Sequence, residues 1–241
     1  MLGCDTEAPT QFQPVLNPAD HRDVVGQVSE ATVALVDKAL ACSLTSGQIW
    51  QSTPPAERAA VLDRAADLME SELQPLMGLL VRESGKTFAN AIAEVREAVD
   101  FLRYYAAQAR NHFANDTHRP LGPVVCISPW NFPLAIFSGQ VCAALAAGNT
   151  VLAKPAEQTP SSRHKRCASC WRRGYPPERC NCCRAVVRPW VRRSSRTNGC
   201  AASCSPAPPR WRASSPATWP VASTPRVAPF PSSPRPVART P

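Results

Sequence analysis

The chain has 241 residues, 27 Lys+Arg against 18 Asp+Glu, and a formal net charge of +9. That charge is uneven: 16 of the basic residues and one acidic residue fall in 163–241, leaving −6 on 1–162 and +15 on the tail. The first two thirds are therefore no basic nucleic-acid module, and no apolar run is long enough to span a bilayer.

The first residues lack the charged and apolar regions of a secretory signal, so none is expected. Residues 1–28 read as an extended lead-in, with a turn at Asn17-Pro18-Ala19-Asp20 and a short strand over 23–28. Ser29 is placed to cap a helix running to about Cys42, with Val33, Leu35, Val36 and Leu40 near helical spacing. Residues 43–52, including Trp50, read as a connection. Thr53 then caps a second helix with Pro54 at its first position and an apolar stripe of Ala60, Leu62, Ala65, Leu68 and Met69. Arg58, Asp63 and Arg64 lie mostly off that stripe. A helix over 73–84 stops at Gly85, and a longer one covers 89–113. Val95, Val99, Leu102 and Ala106 mark its buried side, and Glu94, Arg96, Glu97, Asp100 and Arg103 its solvated face.

The most informative stretch is 121–160. Residues 121–128 are apolar and β-branched, as a buried strand requires. Trp130-Asn131-Phe132-Pro133 breaks that pattern, and Pro133 suits the first turn of a helix over 134–147. Gly148-Asn149 ends it, and a second strand follows over 150–153. Two buried strands joined by a helix make one βαβ unit, which implies a parallel sheet covered by helices. Cys4, Cys42, Cys126 and Cys142 have no disulfide or metal spacing, which suits a reducing cytoplasm.

The tail differs in kind. It holds 7 of the 11 cysteines and 14 of the 26 prolines, with no Leu, Ile, Met, Asp or Gln. Too little aliphatic surface is available there to offset the entropy of ordering a backbone, so no packed core is expected. Cys167-x-x-Cys170 and Cys180-x-Cys182-Cys183 with His164 superficially suggest zinc, but Cys-x-Cys-Cys is a poor second half for such a site. The arginines would neutralise phosphates nonspecifically, and Trp171, Trp190, Trp211 and Trp219 form no recognisable module. A nucleic-acid- or zinc-binding protein acting through this tail is the alternative reading. A gel shift surviving about 0.2 M salt would favour it.

PWNFP followed by GNTVLAKPAEQTP resembles the aldehyde dehydrogenase superfamily. LNPAD, REsGKT (Ser84 at the variable position) and NAIAEVREAVDFLRYYA narrow the resemblance to its glutamate-semialdehyde (1-pyrroline-5-carboxylate) dehydrogenase branch, a module of bifunctional proline-utilisation proteins. The likeness covers roughly 12–160. It implies an α/β fold, with N-terminal helices over 1–120 and the first βαβ unit of an incomplete Rossmann-type parallel sheet over 121–162; composition leaves 163–241 as a disordered tail. The resemblance implies NAD as cofactor and a small-molecule aldehyde as substrate, while the tail's own residues point to no metal and no specific nucleic acid. The chemistry is attack by a cysteine thiolate, loss of hydride to NAD, and hydrolysis of the thioester by glutamate-activated water.

By the same resemblance Asn131 is the amide donor to the oxyanion; on composition alone it reads as a turn residue capping the next helix. Ser128, Pro129 and Trp130 resemble the wall beside the nicotinamide, although Trp130 also suits a core anchor under the turn. Lys154 and Glu157 resemble the pair at the adenosine ribose; a strand-terminal lysine in water is the plain alternative. Glu83 is a candidate contact to the aldehyde. Cys126 and Cys142 sit in apolar segments and read as small buried hydrophobes. The family's nucleophilic cysteine and basic glutamate match no residue of this chain.

Trp, Cys, Arg, Pro, Ser and Ala dominate the tail, the mixture a GC-rich gene gives in a wrong frame. Joining the last base of each codon to the first two of the next forces Gln-Leu-Leu from Cys180 to Cys183. The surrounding residues permit LLEAGVPPGALQLLPGRGETVG. Residues near Arg196 to Ala213 permit RVRGVMFTGSTEVA, and the last dozen permit IPLIAETGGQNA. In order and spacing these resemble the family's continuation, which points to a single-base frameshift near 161–163.

Overall fold

In a computed structural model, residues 12–160 and the backbone of 180–182 and 202–204 are described; every described residue belongs to a unit spanning Met1–Pro206. A hairpin comes first, strand β1 (Gln13–Asn17) antiparallel to β2 (Asp20–Val28). The lead-in thus holds two strands where the sequence reading places one. Asn17 makes the turn, its Oδ1 accepting from Ala19 N at 3.0 Å. Four helices follow: α1 (Val33–Ser52), α2 (Pro55–Ser71), α3 (Leu73–Ser84) and α4 (Phe88–His112). Strand β3 (Val124–Ile127), helix α5 (Ala135–Ala146) and strand β4 (Val151–Lys154) form the expected βαβ unit.

Several helix ends depart from expectation. Thr32, not Ser29, caps α1, its hydroxyl accepting from Leu35 N. The helix continues through 43–52 because its hydroxyls turn inward: Ser43, Thr45 and Ser46 each donate to the carbonyl four residues back. Pro54 is the cap of α2, whereas Thr53 closes α1 and donates to Ile49 O. Pro133 lies before α5, whose cap is Leu134. Gly85 ends α3 in the left-handed region, as read.

The sheet order is β5-β4-β3-β6, all parallel, with β5 (Cys180–Cys182) and β6 (Ala202–Cys204). Two tripeptides of the tail therefore add strands on either side of the βαβ unit, where the sequence reading expects none. The rest of 161–241, with its cysteine motifs and arginines, lies outside the described residues. Successive strands run outward from β3 to β4 to β5, and the chain then returns to the other side of β3. That is the order 3-2-1-4 of an open doubly wound sheet, and its reversal lies between β3 and β6.

Alternation along the strands assigns the faces. Val125 and Leu152 pack against Val36, Ala39 and Leu40 of α1. Val124, Cys126, Val151 and Ala153 pack on the other side against Phe137, Ala144 and Leu145 of α5, with Trp50. A larger core joins α2, α3 and α4 to the outer side of α5 through Leu134, Cys142 and Ala146. Helix α5 is thus enclosed between sheet and helices, which explains why its sequence is apolar all round and carries no charge.

Charges from neighbouring helices meet its two ends. Arg58 of α2 is 2% exposed; its Nε donates to Ala146 O at 3.1 Å and its NH1 to Thr53 O at 2.7 Å. Glu94 of α4 is 1% exposed and accepts from the first N–H groups of α5. Both residues are corrections to the sequence reading, which leaves them on outer faces. A cation at the carboxyl end and an anion at the amino end complement the helix dipole, so burial is compensated. Asn149 clasps the entry to β3, Oδ1 accepting from Leu121 N and Gly122 N while Nδ2 donates to Ala144 O.

Gly148 has φ +87, and a Cβ there would stand 2.8 Å from Pro120 Cγ. Gly148→Ala combines a left-handed backbone with overpacking and should cost about 2–4 kcal/mol, read as a lowered urea midpoint. Cys126 and Cys142 are buried and form no disulfide, as expected. Cys42 is disulfide-bonded, against the expectation from spacing.

The hairpin is tied to α3 by Arg82, whose guanidinium holds both carboxylate oxygens of Asp23; Asn17 Nδ2 adds a bond of 3.1 Å. Arg82 and then Asn17 hold the Asp23 carboxyl down from 3.8 to about 2. A lowered folded-state value means the tie is complete above the unfolded value of 3.8 and is lost as pH falls towards about 2. Protection of the amides in 13–28 against exchange, measured relative to their intrinsic rates, should fall across that window. Asp23→Asn should flatten this response.

Candidate functional site

Strands β3 and β4 run in register, Val124 beside Val151 through to Ile127 beside Lys154. Their carboxyl ends are therefore level, and Ser128 N donates to Lys154 O at 3.1 Å. In open α/β sheets the crevice beyond the carboxyl ends, at the reversal of strand order, is where ligands sit. The turn 128–134 leaves β3 at that place, beside β6. Register alone thus brings Ser128, Pro129, Trp130 and Asn131 to the same edge as Lys154 and Glu157, although 22 or more residues separate the two groups.

Lys154 is 1% exposed, with Nζ 3.4 Å from Glu157 Oε1. A strand-terminal lysine in open water is excluded by that burial. Its position follows from the sequence: β4 is buried throughout, and Lys154 is its last residue before Pro155. The Ser128 hydroxyl is buried without a hydrogen-bond partner among the described residues, as is that of Thr159. Polar atoms left unmet at the mouth of a sheet are donors and acceptors for a polyhydroxylated or phosphorylated ligand. Pro129 is half-buried and Trp130 56% exposed, so Trp130 is a free aromatic face and not an anchor beneath the turn.

Asn131 is exposed in the same turn. It does not cap α5: Leu134 N and Ala135 N reach Glu94 Oε1 instead, at 2.7 and 3.2 Å. Glu83 stands in the last turn of α3 and is 3% exposed. Lys86 lies three residues on, its Nζ 2.7 Å from Glu94 Oε2 and 4.4 Å from the Phe132 ring centroid. Glu94 Oε2 thus meets Lys86 as an ion pair. Glu94 was legible after all: Ala91, Glu94, Val95 and Ala98 follow the i, i+3, i+4, i+7 rule of the buried stripe. Among the described residues, no three of His, Cys, Asp and Glu stand where they could share a metal ion, and no helix is long and apolar enough to cross a membrane.

Helices on both faces of a parallel sheet, with polar side chains converging at the reversal of strand order, define a doubly wound α/β fold. Residues 5–190 match the aldehyde dehydrogenase family, and the chain belongs to that family. It is 65% identical over 167 residues to the bifunctional protein PutA of Escherichia coli K12, covering 69% of this chain and 13% of that protein. The fold matches a crystal structure of proline utilization A from Bdellovibrio bacteriovorus with a TM-score of 0.76 and 28% identity, over 84% of this chain and 22% of that one. It also matches a 1-pyrroline-5-carboxylate dehydrogenase from Thermus with bound NAD (TM-score 0.72, 33% identity, 77% of this chain, 38% of that one). The chain thus spans well under half the length of each of these relatives.

Proposed function

We propose that the chain carries the opening portion of an NAD-dependent L-glutamate γ-semialdehyde dehydrogenase of proline breakdown. The supporting observation is the convergence of Ser128 and Lys154 at level carboxyl ends of paired strands. In this reading Lys154 and Glu157 hold the adenosine ribose hydroxyls. Ser128, Pro129 and Trp130 wall the nicotinamide end, with the unmet Ser128 hydroxyl directed to the ligand. NAD, when bound, supplies the hydride acceptor for the oxidation. The Asn131 amide donates to the aldehyde oxygen as that oxygen gains negative charge. Glu83 stays the candidate contact to the substrate.

The nucleophilic cysteine and basic glutamate lie in the continuation, which this chain lacks in its written frame; the 241-residue chain is accordingly inactive. A single-base frameshift near 161–163 accounts for the tail. Strands β5 and β6 support it. In the shifted frame Cys180 to Cys183 gives Gln-Leu-Leu, and Ala202-Ser203-Cys204 falls within Gly-Val-Met-Phe. Those are the apolar runs a doubly covered parallel strand calls for; Cys-Asn-Cys and Ala-Ser-Cys are not. Sequencing the gene across codons 158–166 tests the frame. Restoring it should yield aldehyde-dependent NADH production that the written chain does not show. An intact frame, or NADH from the purified 241-residue chain, would overturn the proposal.

A further inference from the structure

We infer that Glu94 and Lys86 are a positioning pair for the turn that carries Asn131; the functional meaning of that turn rests on the reading above. Helix α5 has no capping side chain at Leu134. Its first-turn N–H groups would be orphaned inside the core without an acceptor from elsewhere. The Glu94 carboxylate fills that need from α4, binding the backbone three and four residues beyond Asn131. Its second oxygen holds Lys86, whose ammonium rests over the ring of Phe132, the residue next to Asn131. One charge pair therefore holds the turn at two points just after Asn131, the Phe132 ring and the start of α5.

Lys86 can do this because of the residues around it. Gly85 ends α3 in a left-handed conformation, and Thr87 caps α4 by accepting from Asn90 N. The REsGKT stretch is thus a corner two helices share, and its lysine is aimed at the turn after β3. An apolar residue at 94 would fill the same volume but could not accept two N–H groups. A carboxylate buried this deeply costs desolvation free energy, which the helix amino end and the ammonium offset. What the pair contributes is a fixed backbone path for the exposed Asn131.

Amide exchange followed by mass spectrometry on the full 241-residue chain tests this. Glu94→Ala should speed exchange in the peptide spanning 130–136 by about 10- to 100-fold, leaving the carboxyl-terminal half of α4 unchanged. The double variant Glu94→Gln with Lys86→Met keeps an oxygen acceptor for α5 and removes the ammonium from Phe132. It should restore protection at 134–136 to within about threefold and leave 131–132 exchanging about tenfold faster than the parent. Unchanged exchange in Glu94→Ala, or, in the double variant, no rescue at 134–136 or parent-like protection at 131–132, overturns the pair. If Glu94→Ala fails to fold, the double variant decides alone by the same two readings. A flat exchange pattern would leave the role of Asn131 standing, whereas normal turnover by an Asn131 variant in the restored frame would leave the exchange pattern standing.

Discussion

Replacing Trp50 by alanine is expected to cost about 3–5 kcal/mol of unfolding free energy, the range for emptying a buried aromatic site. Trp50 is fully buried near the end of α1, packed with Val124, Phe137 and Val151, and its Nε1 donates to Leu145 O at 3.0 Å. It therefore joins three elements, the first helix, the sheet and the carboxyl end of α5. Alanine would open a cavity and remove one donor from the Leu145 carbonyl, which Gly148 N still meets at 3.0 Å. Trp50→Phe separates the two effects, because it keeps much of the volume and loses only the hydrogen bond, about 1 kcal/mol. Urea unfolding followed by circular dichroism measures both. A cost below about 1 kcal/mol for the alanine variant would mean that this contact does not hold the layers together.

In the restored frame, Asn131→Ala should lower kcat by about 10²- to 10³-fold, the usual loss of one oxyanion donor. The KM for NAD should stay constant, because Asn131 faces the aldehyde oxygen in the proposed reading. The cap of α5 makes this a clean test. Were Asn131 the capping residue, alanine would cost about 1 kcal/mol of stability. Glu94 accepts those N–H groups instead, so the melting temperature should hardly move. A fall in stability with kcat preserved would return Asn131 to a structural role.

Sequence by itself determined the βαβ unit, the glycine stops at Gly85 and Gly148, and the family, since period, turn residues and short motifs are local properties of the chain. Local side-chain character also misled. It placed the charged Glu94 and Arg58 on outer faces although their spacing fits the buried stripes, because their partners are the two ends of α5, reached only after 40 and 88 residues of chain. It broke α1 at Ser43, because serines at helix-interior positions look like a connection until the core they face is known. It placed no strand in the tail, because neither Cys-Asn-Cys nor Ala-Ser-Cys carries the apolar run by which such a strand is read. The meeting of Ser128 with Lys154 was a question of strand register, and register belongs to the assembled sheet. Tertiary structure alone decides which charges are buried, because a buried charge is tolerable only where a second element brings its counter-charge or its orphaned backbone groups.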